Sequence, residues 1–206
     1  MAELLKITTP SDQDEAIRLG ASILKGGGLV VFPTETVYGI GVNMENQMAL
    51  MRLYRLKGRP DDKPLTLHIG TLADLERFGI EATPREYHLI KHCWPGPLTL
   101  ILRNKKGETV GVRWPRHDLA CQIIKKSGVR VGCPSANISG ESPATTAEEV
   151  AKGIRSEIDL IIDGGKTELG TSSTVAMSEG KSLKILREGA ISSRTLRELW
   201  EERSGS

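Results

Sequence analysis

Apolar and polar positions fall into short blocks along this chain, and the period of the pattern switches repeatedly. The run Leu29-Val30-Val31-Phe32 is continuously apolar and stops at Pro33, which reads as a buried strand. A polar stretch ending in glycine follows, Thr34-Glu35-Thr36-Val37-Tyr38-Gly39. Residues 44–56 then carry a helical pattern, with Gly58 at the C′ position where a left-handed residue closes a helix. A cationic loop, Lys57-Gly58-Arg59-Pro60, leads into a second apolar run that predicts a strand over 64–69. The unit is therefore strand, polar loop, helix, cationic loop, strand. Open α/β sheets bind ligands beyond the ends of such buried strands.

Flanking segments follow the same logic. Ser11 as N-cap with Asp14 at N3 predicts a helix start, and Ile17, Ala21 and Leu24 recur on one face. Gly26-Gly27-Gly28 precedes a strand instead of following one, so it reads as a helix end and not as a phosphate loop. Helices are predicted over 72–78 and 84–93, the second broken by Trp94-Pro95-Gly96-Pro97. Strands over 98–102 and 109–113 flank the turn Asn104-Lys105-Lys106-Gly107. Ala120, Ile123 and Ile124 mark a helix ending near Gly128, and 129–133 is a strand stopped by Pro134. Ser135-Ala136-Asn137-Ile138-Ser139-Gly140 is a loop of small polar residues, and Thr146 to Glu149 has capping-box spacing. Strands over 160–162, 173–177 and 183–186 precede a last helix capped by Ser193, with Leu196, Leu199 and Trp200 facing inward. No repeat or linker-like composition shift interrupts the chain. Interspersed strands and helices predict one α/β domain over 1–206 with a mixed sheet, its core about 11–191 and residues 203–206 a mobile tail.

Composition narrows the class. With 206 residues and 38% hydrophobic content, the chain can bury a core without staples. A net charge of +2 is too small to argue for nucleic-acid binding, and 4% aromatic residues provide no repeated stacking platform. Cys93, Cys121 and Cys133 form no Cys-x-x-Cys, so buried thiols in a reducing compartment are expected, not zinc or disulfides. The N-terminus lacks a signal-peptide pattern and no run approaches membrane-spanning length, which predicts a cytoplasmic protein without a membrane association.

Several groups could carry chemistry, and each has a plainer role. Lys57 and Arg59 either complement the end of a helix dipole or clamp an anion, with Arg52, Arg55 and Lys63 adding charge nearby. Ser135 and Asn137 fit turn chemistry or hydrogen bonds to a ligand. Thr34, Glu35, Thr36 and Tyr38 either satisfy loop backbone or face a substrate, and His68 is a core histidine or a ligand contact. Arg113, Ser173 and Arg187 sit at predicted strand ends. Together, Lys57, Arg59, Arg113 and Arg187 place anion-compatible groups at element ends. No Ser-His-Asp spacing, metal-ligand cluster or Walker-type lysine loop accompanies them.

Five motifs closely resemble the YrdC family, the threonylcarbamoyl-adenylate synthases. They are Pro33-Thr34-Glu35-Thr36-Val37-Tyr38-Gly39, Lys57-Gly58-Arg59-Pro60, Trp94-Pro95-Gly96-Pro97-Leu98-Thr99, Pro134-Ser135-Ala136-Asn137-Ile138-Ser139-Gly140 and Ser173-Thr174-Val175. The resemblance runs from about Ala16 to Ile191. It implies a twisted mixed sheet with helices around a wide, positively charged cavity. It also implies a reaction in which L-threonine, bicarbonate and ATP give threonylcarbamoyl-AMP and pyrophosphate. ATP would be a substrate accompanied by Mg2+, with no protein-bound metal. Downstream tRNA threonylcarbamoyl transferase proteins would use the product, and tRNA itself would bind weakly at most. By position, Thr34, Tyr38, His68, Arg113, Ser135 and Ser173 resemble the threonine-side contacts. Lys57, Arg59, Asn137, Thr145 and Arg187 resemble the nucleotide side, with Lys57 and Arg59 as the catalytic pair. The family often has asparagine where Lys63 stands, and its Arg-Pro-Gly reads Arg187-Glu188-Gly189 here. A chain ending at Ser206 is expected to be the short form, without the additional C-terminal domain. Alternatives are an RNA-binding module, a YciO-type paralogue without synthase activity, and the related portion of hydrogenase-maturation carbamoyltransferases. The last group carries zinc-type cysteine pairs that this sequence lacks.

Overall fold

The computed structural model describes residues 3–58, 64–154 and 157–202. In chain order its elements are β1 Glu3–Lys6, α1 Pro10–Lys25, β2 Val30–Phe32, β3 Gly39–Asn43, α2 Gln47–Lys57, β4 Leu67–His68, α3 Asp74–Arg77, β5 Ile80–Glu81 and α4 Pro84–Cys93. There follow β6 Leu98–Asn104, β7 Thr109–Arg113, α5 Asp118–Ser127, β8 Val131–Gly132, α6 Ala147–Ile154, β9 Leu160–Asp163, β10 Thr174–Glu179, β11 Ser182–Arg187 and α7 Ser193–Glu202. The strands make one mixed sheet in the order β1-β9-β2-β3-β8-β4-β7-β6-β10-β11, with β5 paired to β6. Single-domain α/β architecture with a mixed sheet is therefore the fold.

Caps explain where helices begin. α1 starts two residues earlier than the Ser11 cap predicts, because Thr9 accepts from Asp12 N and the Asp12 carboxylate accepts from Thr9 N, while Pro10 sits where no N–H is needed. α2 starts at Gln47 and not at 44, because the Asn46 side chain accepts from Ala49 N and Met44-Glu45 form the turn that leaves β3. Gly58 closes α2 in the left-handed region at φ 55°, as its place in the sequence predicts. The last helix is capped by Ser192 and not Ser193: Thr195 N donates to Ser192 Oγ at 3.1 Å, while Ser193 bonds Glu188.

The predicted strand over 64–69 shrinks to β4, whose Leu67 and His68 pair with β7 on one side and β8 on the other. β3 is the main element the pattern conceals. Its glycines permit close packing: a Cβ on Gly41 would lie 2.7 Å from Phe32, and one on Gly39 would lie 2.4 Å from Cys133 Sγ.

Three apolar clusters cover the sheet. α1 and α5 pack Ala16, Leu24, Ala120 and Ile123 against β2 and β9. α2 and α6 pack Leu53 and Val150 around Val31, Ile40 and Ile161. α4 and α7 bury Leu89, Leu196 and Trp200 against β6 and β10. Each fully buried side chain of this kind contributes about 1.5–3 kcal/mol relative to exposure. Among the described residues, no helix is long and apolar enough to cross a membrane.

Candidate active site

The parallel strands β4 and β7 end side by side, with His68 opposite Arg113 in register. The loop after β8 carries Ser135, which bridges back to Gly39 at the start of β3. β10 opens beside Ser173, and Arg187 ends β11 opposite Val175. Residues far apart in the chain thus line one cavity of about 140 Å³: His68, Arg113, Ser135, Ser173 and Arg187 are in its wall, with Val37, Thr66, Thr99 and Cys133 between them.

Arg113 is buried and anchored along one edge. Its Nη2 donates to Thr36 Oγ1 at 2.9 Å and its Nε to Gly96 O at 3.4 Å. The Thr34 hydroxyl donates to Val37 O at 2.8 Å, so the 2.8 Å contact between the two threonine hydroxyls is a donation from Thr36 to Thr34. Arg113, Thr36, Thr34 and Val37 form one directed chain. Thr34, expected at the threonine side, therefore acts behind Arg113 and not at the cavity wall. Glu35, buried between these threonines, places Oε1 2.9 Å from Arg113 Nη2. The pair is an ion pair without the alignment of a hydrogen bond, and among the described residues neither carboxylate oxygen has a hydrogen-bond partner.

His68 has a defined tautomer. Its Nδ1 lies 3.3 Å from Thr66 O, and a carbonyl can only accept, so Nδ1 carries the proton and Nε2 is an acceptor. Burial first, and then the charge of Arg113, push this imidazole down to about 3. It is neutral at any physiological pH. On the opposite wall, Ser173 Oγ contacts Thr99 Oγ1 at 2.9 Å, and Arg187 Nη2 donates to Ser173 O at 2.8 Å. Arg187 was expected on the nucleotide side. It shares the cavity with the threonine-side groups, because β11 ends against the start of β10.

Three further expectations change. Lys57 is buried, and its Nζ donates to Ser135 O at 2.6 Å and to Asn137 O, while its own carbonyl accepts from Ser139 N at 2.9 Å. It fastens the Ser135 loop from behind and does not line the cavity. Tyr38, expected to wall the threonine pocket, is fully buried in the core, with its hydroxyl donating to Gly165 O at 2.6 Å. Burial raises its pKa above the ordinary tyrosine value. Thr145 donates its hydroxyl to Glu149 Oε2 at 3.1 Å at the start of α6, away from the cavity lining. Asn137 donates from Nδ2 to Ile138 O at 2.8 Å and Glu141 O at 2.7 Å, leaving a buried Oδ1 without a partner among the described residues. Arg59 and Lys63 lie outside the described residues.

Sequence reasoning missed Cys133, Thr66 and Thr99 in the wall and gave Glu35 no partner. The three cysteines are free thiols, and burial pushes Cys133 up to about 12, so it lines the cavity as an inert group.

A family model named Sua5/YciO/YrdC, described as "Telomere recombination", matches residues 22–189. The chain belongs to the Sua5/YciO/YrdC family. It is 41% identical over 191 residues to the threonylcarbamoyl-AMP synthase of Bacillus subtilis (strain 168), covering 88% of this chain and 55% of that protein. It is 42% identical over 184 residues to the threonylcarbamoyl-AMP synthase of Pyrococcus abyssi (strain GE5 / Orsay), covering 85% of this chain and 54% of that one. The chain thus spans about half the length of these curated relatives. Its structure superposes on that of P. abyssi Sua5 complexed with L-threonine with a TM-score of 0.87 at 36% identity, covering 97% of this chain and 60% of that one.

Proposed function

We propose that this chain forms threonylcarbamoyl-AMP and pyrophosphate from L-threonine, bicarbonate and ATP, the activity named for its relatives. The observation that carries the reading is the cavity itself. It is small and walled by two guanidinium groups, three serines and a neutral imidazole acceptor. That set complements an amino acid, which presents a carboxylate, an amine and, in threonine, a hydroxyl.

The roles follow from the donors. Arg113 makes no hydrogen bond from Nη1 among the described residues, so that edge of its fork receives the α-carboxylate. His68 Nε2 accepts from the amine or hydroxyl and so orients the amine, which attacks the bicarbonate carbon in its neutral form; water leaves as the carbamate forms. A carbamate oxygen then attacks the α-phosphorus of ATP, and pyrophosphate leaves with the electron pair of the broken P–O bond. Such a step needs positioning and charge neutralisation more than a nucleophilic side chain. Arg187 faces the phosphates, with Asn137 and Arg59 extending that side as the resemblance implies. Mg2+ arrives with the nucleotide. Lys57 contributes by holding the Ser135 loop, and Thr145 by closing the loop's far end. The product passes to tRNA threonylcarbamoyl transferase proteins in the cytoplasm.

The test is pyrophosphate release with ATP, magnesium and bicarbonate across amino acids. Release should depend on L-threonine and fall off for analogues lacking the hydroxyl or methyl. Orthophosphate as the product, or release indifferent to threonine, would overturn the reading.

A further inference from the structure

Among the described residues no carboxylate lines the cavity, although Arg113 and Arg187 both do. Ser135 and Ser173 add hydroxyl donors. Such a wall suits phosphate and pyrophosphate as well as an amino-acid carboxylate. The proposed reaction releases pyrophosphate beside this wall, so the amino-acid end must avoid trapping it.

The two guanidiniums differ in what stands behind them. Arg187 donates from Nη2 to the carbonyl and, at 3.4 Å, to the hydroxyl of Ser173, both neutral. Arg113 instead has Glu35, whose side chain is 1% exposed, with Oε1 2.9 Å from Nη2. We propose, on the basis of the functional reading above, that Glu35 is a specificity-determining residue. By neutralising Arg113 from behind, it lets that end of the cavity take a monocarboxylate through shape and hydrogen bonds while refusing phosphate and pyrophosphate, which go to the Arg187 end.

Glu35 differs from an ordinary structural counter-ion. Buried carboxylates are normally saturated with hydrogen bonds, yet among the described residues both oxygens of Glu35 lack them. What Glu35 supplies at this place is charge. Repulsion scales with the charge on the ligand, so a dianion suffers about twice the penalty of a monoanion at the same distance.

The decisive variant is Glu35→Gln, which keeps length and shape and removes charge. Calorimetric titrations with L-threonine and with magnesium-free pyrophosphate, alongside a thermal melt, read the outcome. Folded Glu35→Gln should bind pyrophosphate about tenfold or more tightly than the unaltered protein, in competition with threonine. Its threonine affinity should move less, and Glu35→Asp should restore the discrimination. Unchanged pyrophosphate affinity in folded Glu35→Gln overturns the inference. Should that variant not fold, Arg187→Gln decides: pyrophosphate binding should be lost and threonine binding kept, and the reverse pattern overturns the inference. If the unaltered protein binds no threonine, the functional reading fails, while the pyrophosphate titrations still report on Glu35 by themselves.

Discussion

Lys57 carries a positive charge into an almost dry position and directs it at two backbone carbonyls, those of Ser135 and Asn137. Next to Arg59 in the sequence it resembles half of an anion clamp, and nothing in the spacing shows which way its stem turns. The structure distinguishes the roles. A clamp contributes to rate and little to stability, whereas a latch that satisfies buried carbonyls contributes to both. Lys57→Met keeps the stem and removes the donors: Ser135 O keeps the Asn137 N–H, while Asn137 O loses the ammonium. An unsatisfied buried acceptor costs about 1–3 kcal/mol. For a chain of this size the melting temperature should fall by roughly 2–4 °C per kcal/mol, together with a raised KM for threonine through the displaced Ser135. A Lys57→Met protein with an unchanged melting curve and a large loss of kcat alone would return the residue to the clamp.

At the scale of elements, what the sequence revealed and what it concealed have one physical cause. Local signals were legible: Pro84–Cys93 and Thr109–Arg113 appear with the bounds their caps and breaks predict, and Gly58 ends α2 as its position requires. Non-local signals were not. β3 reads Gly-Ile-Gly-Val-Asn, a poor strand by pattern, because it is central and must let neighbours approach on both sides. The two-residue strands β4 and β8 exist only through their partners. The cavity wall shows the same division: Arg113 and Ser135 stand out at strand ends, while Thr66 and Cys133 come into place only through pairing. The Gly39 contact makes this testable. Gly39→Ala should drive a methyl into Cys133 Sγ and cost about 1–3 kcal/mol by overpacking. Adding Cys133→Ala vacates the space and should recover most of that loss in a thermal melt. A double variant no more stable than Gly39→Ala alone would show that the strain lies elsewhere.

The whole molecule bears on the alternative of an RNA-binding module. The chain has 28 lysines and arginines against 26 aspartates and glutamates, and many exposed cations are already matched. Arg52 meets Asp159, Arg55 meets Glu157, Arg116 meets Glu168 and Lys184 meets Glu179. Such surface pairs add little stability, but they interrupt any continuous basic track that a phosphate backbone could follow. Of the two arginines at the cavity, Arg113 is buried and Arg187 is exposed at its rim, an arrangement that suits small anions better than a polymer. Binding of RNA should therefore be weak and without sequence preference. Affinity for a single strand falls with a log–log salt slope of roughly −0.7 for each phosphate neutralised, so the slope here should correspond to very few phosphates. Filter binding or anisotropy with a tRNA anticodon stem-loop and an unrelated hairpin, across a salt series, measures it. Tight binding to the stem-loop at physiological salt, with discrimination against the hairpin, would place recognition of RNA ahead of small-molecule chemistry.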